Sequence, residues 1–388
     1  DESGLGLGIV YKDSAVFTVK GSLTVTDPNT ALELFVGDPK NLKWTKFGGV
    51  STVDLKYTKN NGTDNYPYVI ATNVSATAGA GAGYAWPGAV PDAVGTLLRV
   101  MVVDSANASV LDTSEAAFKI SGKLALNAEL DGSKVCTVNQ TCSIKWTPTG
   151  TMGNVNLQYS FTGGTPWTTF ATVAAGTSGQ ESTYSGWSPT AAQITTQFRI
   201  RAQDPNNPGS VYDESTNDNK IQGVLSQVYP LGSGIVWYKG ETTRVITWTG
   251  TGNINPVKVQ YNTQGYTAAS GWVDLATLTA GQLATNGDGA QTYTWSAGLP
   301  DVKTELFAFR VYHDDAAYSA GVTDVSDANM SVRPTLTVTL PNLSGNNAVV
   351  GSTTLVRIAR SSTTTLDTVK LVYQSSGSTV WNWLGVGA

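Results

Sequence analysis

The side chains of this chain that could do chemistry are mainly acidic, and they recur at one end of each of three similar segments. They lie in the loop after a strand of the Phe-Arg-Val type: Asp104, Asp112, Asp204, Asp213, Glu214, Asp314, Asp315, Asp324 and Asp327. Carboxylate and carbonyl oxygens gathered in a loop are the ligands that calcium prefers. Calcium is therefore the one candidate cofactor, and it would stiffen the junction to the next segment. The alternative is that these residues hydrogen-bond their own turns, as Asp and Asn commonly do.

Catalytic chemistry has little support. His313 is the only histidine, and it follows Phe309-Arg310-Val311-Tyr312 on the inward-facing parity near a strand end. A zinc cluster needs further His or Cys ligands, and a general base needs a positioned partner. No serine has the Gly-x-Ser-x-Gly context of a hydrolase nucleophile. We therefore predict that the chain is not an enzyme and that His313 is a residue at the rim of a domain.

Cys136 and Cys142 are the two cysteines, with five residues between them. This spacing is poor for zinc, because neither a second pair nor a neighbouring histidine accompanies it. A local disulfide that pins a turn is the better interpretation, and it indicates an oxidising compartment. Two free thiols are the alternative.

Six Asn-x-Ser/Thr sequons are candidates for glycosylation: Asn61, Asn73, Asn107, Asn139, Asn329 and Asn342. They act as acceptors only on an exposed surface and in a host that glycosylates its surface proteins. Loops rich in Ser and Thr could equally carry O-linked sugars.

The eleven tryptophans could form sugar-binding platforms, but nine of them fall into columns that repeat along the chain. The columns are Trp44/Trp146/Trp248, Trp167/Trp272/Trp381 and Trp86/Trp187/Trp295. Repetition in register is typical of packing residues, which bury large apolar areas. Trp237-Tyr238 and Trp381-Asn382-Trp383 are the remaining candidates for an exposed contact surface.

The elements that carry these residues repeat with a long, fixed period. Trp44, Trp146 and Trp248 are separated by 102 residues each time, and Tyr57, Tyr159 and Tyr261 keep the same interval. A period of this length indicates an array of domains. Junctions are marked where a strand ends and a single Gly or Pro precedes the next strand, at Gly21, Gly122, Gly223 and Pro334. Such short linkers leave little freedom between units.

These junctions predict three whole domains, at residues 21–122, 123–223 and 224–333. Residues 1–20 read as the last strand of a preceding domain, and 334–388 as the first half of a further one, in which Ala359 takes the place of the tryptophan. The incomplete ends are explained either by a fragment of a longer chain or by strand exchange between molecules.

Period-two alternation predicts strands throughout, and no stretch has a helical period. Val257, Val259 and Tyr261 should face one side of a strand, with Lys258 and Gln260 on the other. About seven short strands per unit, separated by turns rich in Gly and Pro, predict an all-β fold. It would consist of tandem immunoglobulin-like or fibronectin-like β-sandwich domains in an extended array.

The layout also resembles a known group of repeats. Its elements here include Val257-Lys258-Val259-Gln260-Tyr261, Phe309-Arg310-Val311 and Asp324-Val325-Ser326. It resembles the immunoglobulin-like repeats of bacterial and archaeal cell-surface and S-layer proteins. It is similar also to the Knh-like domain of Ser/Thr-rich, GPI-anchored cell-wall proteins. The resemblance implies a fold and a cell-surface location more than an activity.

Composition excludes other classes. Charged residues make up 14% of the chain and the net charge is −5, so no basic stripe for nucleic acid is present. No apolar run is long enough to span a membrane. We predict an extracellular structural component of a surface layer or wall, whose partners are copies of itself in a lattice or fibre, and cell-wall glycans. The alternatives are a carbohydrate-binding or adhesive module, or an accessory region of a secreted polysaccharide-degrading enzyme.

Overall fold

A computed structural model describes residues 13–239, 241, 243–341, 349, 352–361 and 368–387. Sequon Asn342 and the first twelve residues of the predicted segment 1–20 lie outside the described residues. In the described part, the chain forms strands and turns, with three short 3-10 helices and no α-helix. The helices are Ala128–Leu130, Ala191–Gln193 and Ala284–Gly287. The predicted all-β fold class is confirmed.

The strands follow the repeats closely. Repeat 1 (residues 21–122) holds β1 Ser22–Asp27, β2 Glu33–Phe35, β3 Asn41–Phe47, β4 Thr52–Thr58, β5 Tyr68–Ser75, β6 Tyr84–Ala85, β7 Gly95–Asp104, β8 Asn107–Thr113 and β9 Phe118–Ser121. Repeat 2 (residues 123–223) holds β10 Lys123–Leu126, β11 Val135–Thr137, β12 Ile144–Thr149, β13 Asn154–Ser160, β14 Thr168–Ala174, β15 Ser182–Tyr184, β16 Thr195–Gln203, β17 Tyr212–Glu214 and β18 Asn219–Gln222.

The same pattern continues to the end of the chain. Repeat 3 (residues 224–333) holds β19 Val224–Tyr229, β20 Val236–Tyr238, β21 Arg244–Thr251, β22 Val257–Asn262, β23 Val273–Leu278, β24 Gly289–Trp295, β25 Thr304–His313, β26 Thr323–Val325 and β27 Met330–Arg333. The last segment holds β28 Leu336–Leu340, β29 Arg357–Arg360, β30 Val369–Tyr373 and β31 Asn382–Gly387.

The chain forms two compact units, and repeat 2 contributes to both. The first unit comprises the described residues within 1–132, 143–184 and 199–217, and the second those within 133–142, 185–198 and 218–388. Strand β16 is divided between them.

The first unit holds two complete sheets of repeat 1. One sheet has the order β1-β3-β6, and the other has the order β2-β9-β7-β4-β5, with β8 also paired to β7. Repeat 2 adds the sheet β10-β12-β15 to this unit. It also adds a second group of antiparallel strands. In this group β14 pairs with β13, β13 pairs with residues 199–203 of β16, and that part of β16 pairs with β17.

The core of repeat 1 lies between its two sheets. Alternate residues of the strands point inward, so that Trp44, Val53, Leu55, Leu98 and Phe118 are all buried in one apolar cluster. Burial of a tryptophan removes about 150–250 Å² of surface from water, which makes Trp44 a large contributor. The Trp44 indole N–H donates to the Ala76 carbonyl at 3.0 Å, so its polar atom is satisfied within the core.

The second unit repeats this arrangement in repeat 3. One sheet has the order β19-β21-β24, and the other has the order β20-β27-β25-β22-β23, with β26 also on β25. Trp248, Val257, Val259, Trp295 and Phe309 are buried between them. Repeat 2 contributes β11, parallel to β18, and β18 pairs with residues 195–198 of β16. The last segment forms two pairs, β28-β29 and β30-β31.

In every repeat the first strand is interrupted, and its two parts (β1 and β2, β10 and β11, β19 and β20) pair in different sheets. In repeats 1 and 3, β1 and β19 pair antiparallel with β3 and β21, whereas β2 and β20 pair parallel with β9 and β27. Repeat 2 does the same with β10 on β12 and β11 on β18. In repeats 1 and 3 this division, together with two mainly antiparallel sheets around one core, is the immunoglobulin-like sandwich that the sequence predicted.

A column of glycine lies where one repeat meets the next. The joint glycines are Gly21, Gly122 and Gly223. A Cβ at Gly21 would lie 2.7 Å from Val50, at Gly122 2.7 Å from Met152, and at Gly223 2.6 Å from Ile254. Each would also lie 2.7–2.8 Å from a backbone carbonyl oxygen. The joint therefore has room for glycine alone, which explains the single Gly between strands.

We expect Gly223→Ala to lower the stability of the second unit by about 1–3 kcal/mol, because the methyl group overpacks the joint against Ile254 and the Thr251 carbonyl. Thermal unfolding followed by circular dichroism would measure this. Gly281→Ala is the matched control in the same unit, since a Cβ there meets no atom within 4 Å and no positive φ is required. Equal midpoints for the two variants would contradict the steric role of Gly223.

Candidate functional site

The recurring acidic residues are brought to the place where the first strand changes sheets. Three of them accept a peptide N–H of that strand through one carboxylate oxygen. Asp112 accepts from Val25 at 2.7 Å, Asp213 from Leu126 at 2.7 Å, and Asp324 from Val228 at 3.1 Å. The strand register breaks next to Val25 and Val228, and β10 ends at Leu126. The carboxylate thus replaces a strand partner that the switch removes.

The serine two residues after each of these aspartates completes the motif. Ser114, Ser215 and Ser326 are buried, at 0–2% exposure. The hydroxyls accept the peptide N–H groups of Val100, Ile200 and Phe309, in the strand that carries the Phe-Arg-Val pattern. The serine N–H donates back to the carbonyl of the same residue in all three repeats. The Asp-x-Ser motif is therefore a backbone-bonding device for two strands.

The other predicted calcium ligands are used in turns and ion pairs. Three of them accept the peptide N–H two residues later, at 2.8–2.9 Å: Asp104, Asp204 and Asp315. Asp314 lies 3.3 Å from the Lys258 ammonium, and Glu214 lies 3.7 Å from the Arg201 guanidinium. In the described part of the chain, no three His, Cys, Asp or Glu side chains are grouped so that they could hold a metal ion. Calcium stays a prediction, and turn bonding is the role that these contacts support.

Contacts across the joint between repeats 1 and 2 lie in the first unit. Gly150, in the turn after β12, has φ +91°, and a Cβ there would lie 2.8 Å from Val36 of repeat 1. Thr151 donates from its peptide N–H and its hydroxyl to the two Asp92 oxygens, both at 2.7 Å. The Ser210 hydroxyl donates to Glu33 at 2.9 Å. Polar and steric contacts therefore join the repeats directly.

The joint between repeats 2 and 3, in the second unit, uses the corresponding turn. A Cβ at Gly252 (φ +102°) would lie 2.9 Å from Ile194 of repeat 2. The Asn253 N–H donates to the Ala191 carbonyl at 3.0 Å, and the Lys220 ammonium donates to the Ala317 carbonyl at 2.9 Å. These residues were not predicted from the sequence. Gly48, Gly150 and Gly252 follow the 102-residue period, and this signal could have identified the turn.

His313 lies beside this joint, at the edge of a cleft of about 400 Å³. Its side chain is buried, its ring stacks on Tyr318 at 4.7 Å, and Nε2 lies 3.1 Å from the Asn255 carbonyl oxygen. Nδ1 is buried without a hydrogen-bond partner among the described residues. Burial lowers the pKa of His313, against the opposing effects of the Asn255 carbonyl and of the Asp315 and Asp314 carboxylates. His313 is therefore a buried packing residue at the edge of this cleft.

The disulfide predicted from the cysteine spacing is present. Cys136 in β11 and Cys142 are bonded, with their Cα atoms 5.4 Å apart, a usual separation for a disulfide. Both are buried, and the Cys142 N–H donates to the Trp187 carbonyl at 2.9 Å. The bond closes the turn before β12.

Two of the three tryptophan columns are packed in cores. Six of these residues are at most 9% exposed: Trp44, Trp86, Trp146, Trp187, Trp248 and Trp295. Trp167 and Trp272 are half-buried on the outer sheet face. Guanidinium groups cover them, with Arg201 5.8 Å from the Trp167 ring and Arg310 4.6 Å from the Trp272 ring. An indole that is stacked on arginine leaves less of its face for a sugar.

The two aromatic segments predicted as contact surfaces differ from each other. Trp237 is half-buried and packs against Phe309 at 5.3 Å and Trp295 at 6.5 Å, with the Arg244 guanidinium 5.0 Å from its ring. It is therefore part of the repeat 3 core. Trp381 and Trp383 are 63% and 54% exposed. Trp383 lies in β31, which pairs only with β30 in the described part of the chain, and Trp381 directly precedes that strand. The described residues hold no counterpart there of β16 or β25, the strands whose arginines lie over Trp167 and Trp272.

The described sequons fall into two groups. Asn61, Asn107 and Asn329 use their side-chain oxygens to accept hydrogen bonds from Arg99, Ser109 and Tyr266. Asn73 and Asn139 are exposed, with φ of +54° and +58°. Glycosylation remains a prediction for all of them, and the geometry favours Asn73 and Asn139.

Comparison with known proteins gives a likeness of structure alone. No family model and no curated protein matches the chain. A three-domain immunoglobulin fragment of titin is 10% identical, with a TM-score of 0.28 over 81% of this chain and 99% of the fragment. Fibronectin(III)-like modules of Clostridium thermocellum CbhA are 16% identical, with a TM-score of 0.18 over 51% of this chain and 94% of theirs. Immunoglobulin domains 1–4 of Sidekick-1 are 10% identical, with a TM-score of 0.21 over 82% and 76%. Scores this low establish no relationship, and the fold assignment rests on the strand pairings.

We expect Asp213→Ala to destabilise the chain by about 1–3 kcal/mol, because it leaves the Leu126 N–H without its acceptor. Asp213→Asn keeps an acceptor oxygen at the same place and should recover most of the loss. Thermal unfolding with calcium and then with a chelator would measure both variants. An equal loss in the two variants that is seen with calcium and disappears with chelator would show that the position requires charge for a cation site.

We expect acid to weaken the contribution of His313. Because burial lowers its folded-state pKa, the folded chain binds fewer protons than the unfolded chain. The stabilisation is complete above the ordinary imidazole pKa of about 6.5 and is lost as the pH falls from there toward the lowered value. Thermal unfolding of wild type and of His313→Gln, measured at a series of pH values from above about 6.5 downward, tests this. The difference between their midpoints should narrow as the pH falls, and a constant difference would contradict the assignment.

Proposed function

We propose that the chain is a structural component of an extracellular surface layer or wall, built from tandem immunoglobulin-like domains that assemble with copies of themselves. The domains would be residues 21–122, 123–223 and 224–333. The observation that carries the proposal is the use made of the polar side chains. The Asp-x-Ser motif bonds backbone in all three repeats, and the turns at Gly150 and Gly252 join neighbouring repeats.

The joints support a mechanical role. Thr151 donates two hydrogen bonds to Asp92 across one joint, and the Asn253 peptide N–H donates to the Ala191 carbonyl across the other. Load applied along such an array passes from one domain to the next through these contacts rather than through a free linker.

An extracellular location is supported by the Cys136–Cys142 disulfide, since disulfides persist in oxidising compartments. None of the helical segments in the described part of the chain has the length and apolar content needed to cross a bilayer. The low share of charged residues and the abundance of Gly, Ser, Thr and Asn fit a surface built of strands and polar turns.

The proposal is tested by size-exclusion chromatography with light scattering over a range of protein concentrations, with about 5 mM calcium and then with chelator. We expect species larger than the monomer that grow with concentration. Growth that requires calcium and reverses with chelator would make the acidic loops cation sites, whereas growth under both conditions would leave them as turn residues. A monomer at every concentration under both conditions would overturn self-assembly.

A further inference from the structure

The last strand of one sheet in repeat 2 has an open edge. In the described part of the chain β14 pairs only with β13, and Thr168, Thr169, Thr172 and Ala174 are exposed. Val173 is opposite Val155 in this ladder, and Ala175 donates its N–H to the Gly153 carbonyl at 2.9 Å. Because hydrogen-bonded and open positions alternate in an antiparallel ladder, Thr172 and Ala174 direct their N–H and C=O groups away from β13.

This edge has few of the features that keep sheet edges from pairing. Charged residues and proline are the usual ones, together with bulges. Strand β14 contains no charge and no proline, and its single register shift, opposite Leu157 and Gln158, leaves residues 171–174 regular. The surrounding sequence is equally neutral, since residues 146–180 contain no Lys, Arg, His, Asp or Glu.

The corresponding edges of the other two repeats are protected. Strand β5 has two register shifts, and Asn73 in it has φ +54° and donates its N–H to the Asp54 carboxylate at 3.0 Å. Strand β23 carries Asp274, which lies 3.4 Å from the Lys258 ammonium. The three repeats therefore share an edge of the same topology, and repeat 2 alone presents it without charge and without an interrupted ladder end.

We propose that β14 is the contact through which a second copy of this chain binds, by antiparallel pairing of β14 with β14. The inference rests on the proposed self-assembly and names its surface. A two-fold axis at Thr172 would let the N–H and C=O groups of this residue bond those of Thr172 in the second copy, so that one sheet continues through both molecules. An isologous contact of this kind needs no second type of surface, and a neutral strand meets its own copy without like-charge repulsion.

The first test is Thr172→Lys, which places two ammonium groups opposite each other at the axis. We expect the association constant, measured by sedimentation velocity over a range of concentrations, to fall at least about tenfold, since like charges in contact cost more than 1.4 kcal/mol. Thr277→Lys is the matched control. Thr277 is exposed at the same ladder position of β23, opposite Lys258, and its substitution should leave association unchanged. Thr172→Val controls for the hydroxyl, which donates to Asn156 at 2.7 Å, and should still associate.

The second test is cross-linking through Thr172→Cys. Directly opposite residues of a hydrogen-bonded antiparallel pair have Cα atoms about 5.5 Å apart, which a disulfide spans. Cys136 and Cys142 are bonded to each other, so the new thiol is the one free thiol of the chain. Oxidation should give a covalent dimer on a non-reducing gel for Thr172→Cys, and little for Thr277→Cys.

The outcomes separate this inference from the proposed function. If wild type and Thr172→Lys assemble equally well, the β14 contact is overturned, and self-assembly must use another surface. Wild type that is monomeric at every concentration would overturn both. Equal cross-linking of the two cysteine variants would also overturn the β14 contact.

Discussion

Each repeat of this chain has to solve the same hydrogen-bonding problem, which arises because its first strand is shared between two sheets. The strand leaves its partner at Val25, Leu126 or Val228, and a buried or half-buried peptide N–H would then lack an acceptor. An unsatisfied buried N–H costs about 1–3 kcal/mol. The aspartate of the Asp-x-Ser motif supplies the acceptor from a segment that is distant in sequence. The sandwich depends on this bond, because the switch places the first strand on both sheets.

The joints between repeats depend on equally close packing. One strand ends and the next begins with a single residue between them, so the turn of the following repeat is pressed against the joint. A Cβ at Gly223 would clash with Ile254 and with the Thr251 carbonyl. A Cβ at Gly252 would lie against Ile194 of the preceding repeat. Glycine at both places is therefore required by packing. The interval of about 100 residues between such glycines matches the period of the sequence repeats.

The strands and their faces could be predicted from sequence, because burial on one face of a sheet imposes a period of two. Val257 and Val259 are buried, as the alternation indicates. Gln260 departs from it: this residue was expected on the polar face and is only 6% exposed, because Arg310 donates to its side-chain oxygen at 2.9 Å and Asp274 accepts from its amide. Side chains of neighbouring strands cover one another on the outer face, and this depends on pairings between strands far apart in sequence.

In the candidate site, too, the residue pattern could be seen in the sequence, but the partners that are distant in sequence could not. The columns of aspartate were visible in the sequence, but their role was open between calcium and turns, because the partner of Asp112 is a peptide group 87 residues away. Trp237 was a candidate contact surface for a similar reason. Its strand reads as a short apolar segment near a joint, and only the parallel pairing of β20 with β27 brings it against Phe309.

What differs between the repeats carries more information about function than what they share. The shared residues, such as Trp44, Trp146 and Trp248, hold cores that every copy needs. Even there the third copy departs, because the Trp44 and Trp146 indoles donate to carbonyls whereas Trp248 Nε1 has no partner among the described residues. On the surface the differences are larger. The edge strand β5 bonds Asp54 through the Asn73 N–H, and the edge strand β23 carries Asp274, whereas the corresponding edge strand β14 of repeat 2 carries threonine and no charge. Strand β14 is therefore the sheet edge at which repeat 2 departs from repeats 1 and 3.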